Sequence, residues 1–288
     1  MFRFGLMFGA VFSFCQFASA QSNDSFKPVN LAVNTEKDED YPHSSVRNGV
    51  GHLYFTRNGE LHSAARNGQS WNRAKPFEEL TQHRGDYRSI FVSYTKSTSA
   101  FPQYMIYATN KDANKPDGRG DNFDLFMKLR EGPSDVDVNV AIPLHFSTAD
   151  DEMYPWLTAN GTLYFSRKTQ SGWRLYSASA GKAKMTFNKP EQVGFPDGFH
   201  HATLSPDGKT MYLQGPLEKG RTGLFRSKLE NGKWSNPEEL KQVNDTMATK
   251  GDMSPNLTRD GSLLYFVSDR NGGKGGLDIW AIPVEKIN

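Results

Sequence analysis

Asp252-Met253-Ser254-Pro255-Asn256-Leu257-Thr258, then Arg259-Asp260-Gly261, then Ser262-Leu263-Leu264-Tyr265-Phe266-Val267-Ser268, then a Gly-rich turn and Leu277-Asp278-Ile279-Trp280-Ala281-Ile282, is the stretch that decides the fold. It predicts three short strands joined by tight turns. Asp260-Gly261 lies between two apolar runs, and such a turn needs the positive φ that glycine adopts without steric cost. Asn271 to Gly276 predicts a second, looser turn.

The pattern recurs upstream. His52 to Arg57, the turn Asn58-Gly59 and Glu60 to Ala64 form one copy. Tyr104 to Thr109 with Phe123 to Leu129 form a divergent one, and Thr162 to Arg167 with Trp173 to Ser177 a close one. Thr210 to Leu213 with Leu224 to Ser227 form another. Tyr54, Tyr107, Tyr164, Tyr212 and Tyr265 hold matching places, roughly 50 residues apart, the period of propeller blades. Each unit offers about four short strands. The expectation is an all-β, five-bladed β-propeller with four-stranded antiparallel blades.

A ring of blades must close. The last unit has no fourth strand, and Phe26 to Leu31 resembles Trp234 to Leu240: an aromatic residue, polar residues, a proline, then an apolar position. The N-terminal strand is therefore expected to complete the last blade, leaving no unpaired sheet edge at the seam.

With 36% hydrophobic and 12% aromatic residues, the 288-residue chain can build a core; a net charge of +2 argues against a nucleic-acid footprint. Met1 to Ala20 reads as a signal peptide: Arg3, an apolar run from Phe4 to Phe14, and Ala18-Ser19-Ala20 as a cleavage site. The run is too short to span a membrane. Cleavage after Ala20 would leave residues 21–288 as one periplasmic or secreted domain, expected to be a monomer. Cys15, the single cysteine, lies in the leader, so the mature chain has no thiolate chemistry.

Leu204-Ser205-Pro206-Asp207-Gly208-Lys209, and Ser268-Asp269-Arg270 with Gly275 to Trp280, resemble the WD40-like repeat of exported bacterial β-propellers, the kind that forms the propeller of TolB. The resemblance covers nearly all of the mature chain and implies an exported module that holds a partner or ligand at its channel. About five repeats rather than six, and no separate N-terminal domain, depart from TolB.

Aligned on the first strand of each repeat, Glu39, Asp86, Glu152 and Asp252 share one position, taken by Phe199 in the fourth repeat. With His200, His201, Tyr154 and Trp156, and His43 and His83 close to the same level, they outline a candidate binding site at one channel mouth. Its expected partners are an envelope protein or peptide, or a small cationic or sugar ligand. Recurrence by repeat favours an architectural role for the carboxylates, each accepting backbone N–H bonds between blades. His200 and His201 are adjacent on a strand and point to opposite faces, so no metal or cofactor is expected. Asn110 to Asn122 only loosely resembles a calcium loop, and Asp124 and Asp278 read as structural.

The leading expectation is a binding or scaffolding module and not an enzyme. The alternative is a carbohydrate-active enzyme, a glycoside hydrolase or lyase, using carboxylates in the channel. Asp40, Asp86, Glu152 and Asp252 could supply the pair such chemistry needs, about 5–9.5 Å apart with one pKa raised.

Overall fold

The structure is a computed structural model that describes residues 27–47, 49–81, 86–93, 104–110, 122–129, 141–183 and 186–287. The leader, Phe26, His83 and most of the Asn110 to Asn122 loop lie outside the described residues. The chain forms a five-bladed β-propeller, as its repeats predict. The blades start with the innermost strands Glu39–Arg47, Tyr87–Val92, Asp151–Leu157, His200–Leu204 and Asp252–Leu257. Two antiparallel strands follow each of these. In the first and fourth blades the outer place is shared by two short pieces, Ser70–Trp71 with Lys75–Pro76 and Lys233–Trp234 with Glu238–Glu239.

The hairpin chemistry acts as read. Asn58 and Gly59 both take positive φ, 51° and 79°, which matches the twist of the flanking strands. Five apolar clusters fill the spaces between neighbouring blades. One joins Ile106, Leu125 and Leu144 of the second blade to Leu163 and Phe165 of the third. Blades pack face to face, so both faces of the middle strands are buried, and runs such as Leu264-Tyr265-Phe266-Val267 replace strict alternation.

The seam closes as expected. Val29–Asn30 pairs with Ala281 and Trp280 as the outer strand of the last blade. Leu31 N–H then donates to Ile279 O at 3.0 Å, and the Asn34 amide bonds Ile279 on both its N–H and its C=O. Leu31 and Val33 are buried in the cluster between the last and first blades. Deleting the mature N-terminus through Asn34 is expected to cost about 3–6 kcal/mol, the burial of these two side chains. Urea denaturation measures it, and an unchanged midpoint would reject the clasp.

Candidate functional site

Among the described residues the innermost strands form ladders with the second strand of their own blade, and each breaks its ladder once. The breaks lie between Asp40 and His43, Arg88 and Ile90, Met153 and Trp156, His200 and Thr203, and Met253 and Asn256. At each break one non-glycine residue is left-handed: Tyr41, Ser89, Tyr154, His201 and Ser254, with φ between 47° and 59°. This conformation is uncommon for such residues and costs roughly 1–3 kcal/mol each. A bulge re-aims the side chain it carries. Here the rings of Tyr41, Tyr154 and His201, from the first, third and fourth blades, meet across the channel. Tyr154 stacks on His201 at 4.1 Å and lies 5.5 Å from Tyr41.

Asp40 sits beside this cluster. Its Oδ1 accepts from Ser254 Oγ at 2.7 Å and from Tyr41 N–H at 2.6 Å. None of the described ion pairs involves it. Burial pushes its carboxyl up to about 6, against the pull of those hydrogen bonds and of the Arg88 charge. Burial and the Asp40 charge also raise the Tyr41 hydroxyl, against the pull of the Arg88 charge. His201 is held neutral by burial and by its neighbour His200, and its buried Nδ1 has no partner among the described residues. His200 is lowered to about 4 by burial; its ring stacks on Trp173 at 5.1 Å and bonds Gly198 O and Gln214.

The recurrent carboxylates have another place. Glu39 meets Arg57 Nε at 2.7 Å and also accepts from the N–H and Oγ of Thr35. Arg57 in turn donates to Val33 O. Glu152 repeats the arrangement with Arg167, Thr148 and Phe146 O, and Asp252 with Arg270, Asp245 N–H and Val243 O. All three carboxylates are buried. They clamp the segment leaving one blade to the first strand of the next. Burial pushes Glu152 up to about 7 against Thr148 and Arg167, and raises Asp252 against Arg270.

Asp86 is one residue out of that register. Tyr87 takes the matching place, and Asp86 pairs instead with Arg88 at 3.2 Å, with both side chains over a third exposed. Trp156 is separated from Tyr154 by the bulge and faces a cavity at the opposite mouth. His43 is buried at that level, against Phe91 and Trp156. The structure thus brings Tyr154, His200 and His201 together with Asp40, Tyr41, Arg88 and Ser254. It does not bring Glu39, Glu152, Asp252 or Trp156 to them. The residues that sequence reasoning missed as site members are Arg88 and Ser254. Arg57, Arg167 and Arg270, each at or near the end of a second strand, were the available signal that the recurrent carboxylates are already paired.

No family model and no curated protein matches the sequence. Solved structures share the fold. A thermostable family-43 glycoside hydrolase is 12% identical, with 88% of this chain and 91% of that one covered and a TM-score of 0.59. The α-L-arabinofuranosidase PaAbf62A from Podospora anserina, in complex with cellotriose, is 10% identical, with 90% and 96% covered and a TM-score of 0.55. TolB from Acinetobacter baumannii is also similar, with 12% identity, 86% and 55% covered and a TM-score of 0.48, a level from which nothing follows. These findings correct the expectation of a non-enzymatic binding or scaffolding module. Propellers that match along most of their length include glycoside hydrolases, so that reading is withdrawn. At such identities the likeness shows the fold, and activity has to be argued from this chain's residues.

The two kinds of carboxylate make opposite predictions. Glu152→Gln leaves Arg167 without its charge partner in a buried site and is expected to cost about 3–5 kcal/mol. Asp86→Asn, at an exposed pair, is expected to cost less than about 1 kcal/mol. Equal midpoints in urea for both variants would contradict the clamp.

Proposed function

We propose that this chain is an exported carbohydrate-active enzyme, a glycoside hydrolase whose site is the channel mouth at Asp40. The observation that carries the reading is Asp40 itself: a carboxyl on the channel, with no described ion pair, raised by burial to about 6. A carboxyl tuned in this way is protonated often enough near neutral pH to act as a general acid.

In this reading Asp40 gives its proton to the glycosidic oxygen as the C–O bond breaks. Asp86, held by Arg88, is the second carboxylate and serves the incoming water. Tyr41 and Tyr154 form the wall against which a sugar ring rests, with His200 and His201 behind them. Arg88 links the two carboxylates: it pairs with Asp86 and lowers Asp40 through its charge. The fold shared with the two glycoside hydrolases supports the reading. Membership of the WD40-like repeat family, export through the Met1 to Ala20 leader and a single domain over residues 21–288 belong to the same proposal.

The test is hydrolysis of an arabinan, xylan and galactan panel by the mature protein. Release of reducing sugar is expected, falling at least about a hundredfold in Asp40→Asn and in Asp86→Asn. The raised pKa fixes the sign of the pH dependence. Asp40 must carry its proton, so kcat/KM should fall as pH rises through about 6. Turnover undiminished in Asp40→Asn, or no turnover of any glycan, would reject the reading.

A further inference from the structure

At the far end of the innermost strands lies a cavity of about 530 Å³, within the range of ligand pockets. It is lined by the ends of those strands and the hairpin turns that follow, so it opens at the mouth opposite Asp40. Its wall marks a break in the propeller's symmetry. Two residues after the left-handed position, each blade has one side chain at this level: His43, Phe91, Trp156, Thr203 and Asn256. In three blades it is polar and accepts a backbone N–H from the next blade. Val92 N–H reaches His43 Nε2, Leu257 N–H reaches Thr203 Oγ1, and Ser44 N–H reaches Asn256 Oδ1, at 2.9–3.0 Å. In the second and third blades the position is Phe91 and Trp156. Their rings meet edge-on at 5.6 Å and line the cavity. Tyr164 joins them, half-buried where Tyr54, Tyr107, Tyr212 and Tyr265 are buried.

The lip is polar and balanced in charge. Asn160, Asp207 and Arg259 are exposed there. Asn160 spends its Oδ1 on Thr158 Oγ1 and Thr162 N–H, so its amide N–H groups have no acceptor among the described residues. Asp207 spends Oδ1 on Ser205 Oγ and Lys209 N–H, leaving Oδ2 as an acceptor. One carboxylate and one guanidinium favour neither an anion nor a cation. Aromatic faces below amide and carboxylate groups match a molecule with apolar C–H faces and hydroxyls at its edge.

We propose that this cavity is a second binding site, for a neutral sugar unit stacked on Trp156 and hydrogen-bonded by Asn160 and Asp207. It lies on the other side of the Tyr41–Tyr154–His201 cluster from Asp40 and does not depend on hydrolysis there. The site would hold a glycan without cleaving it.

The experiment follows the Trp156 indole N–H resonance, assigned with Trp156→Phe, in Asp40→Asn protein. The probes are neutral trisaccharides built on glucose, xylose, galactose and arabinose, with a galacturonate trimer as the charged control. Saturable shifts are expected with at least one neutral trimer at millimolar concentration, and none with the uronate. Asn160→Ala combined with Asp207→Ala, both exposed and with an unchanged melting temperature, should weaken them by about tenfold or more. A Trp156 resonance unmoved by every neutral trimer at about 10 mM, or one that moves equally in the double variant, would overturn the site. If Trp156 responds while the wild-type protein cleaves nothing, the hydrolase reading fails and this one stands.

Discussion

Among the described residues the innermost strands of the five blades form no ladder with one another, and the rest of the structure depends on how they are nonetheless joined. Backbone bonds such as Glu39 N–H to Leu277 O and Glu152 N–H to Phe123 O tie the strand starts to the neighbouring blade, and further along the joints are side chains that accept backbone N–H groups from the next blade. Ser89 Oγ takes Tyr154 N–H, Ser166 Oγ takes His201 N–H and Gln214 Oε1 takes Ser254 N–H. His43, Thr203 and Asn256 do the same one level along. Each such bond contributes about 0.5–1.5 kcal/mol, and leaving a buried N–H unmet costs more. The first set works because a bulge has already turned the N–H out of its own ladder. Strain at the bulge and bonding across the seam are therefore two sides of one arrangement.

That arrangement also sorts the carboxylates. Glu39, Glu152 and Asp252 precede the bulge, where an arginine from the second strand and a loop from the previous blade enclose them. Asp40 is one residue further on, at the bulge itself. It receives a serine hydroxyl and one N–H instead of an arginine. Charge placed one residue apart thus serves the scaffold in one case and the channel in the other.

Much of the architecture was legible in the sequence. The Tyr54, Tyr107, Tyr164, Tyr212 and Tyr265 ladder, the Asn58-Gly59 turn and the match of Phe26–Leu31 to Trp234–Leu240 lead to blades, hairpins and clasp. The site was only partly legible, because bulges carry no residue signature here. Tyr, Ser and His are not the residues expected at positive φ. Tyr154 and Trp156, two apart, would share a strand face under regular alternation; the bulge between them sends one to the Asp40 cluster and the other to the opposite cavity. In the second blade the break spans one residue fewer than in the others, so alignment on apolar positions placed Asp86 where Tyr87 stands.

The central claim is that burial at the channel, with no described ion pair to offset it, keeps the Asp40 carboxyl protonated in part near neutral pH. A ¹³C titration of the Asp40 carboxyl, assigned with Asp40→Asn, tests it most directly. The account predicts a midpoint near 6. A midpoint at or below the ordinary aspartate value of about 3.9 would show that the hydrogen bonds and the Arg88 charge outweigh burial at Asp40, and would contradict it.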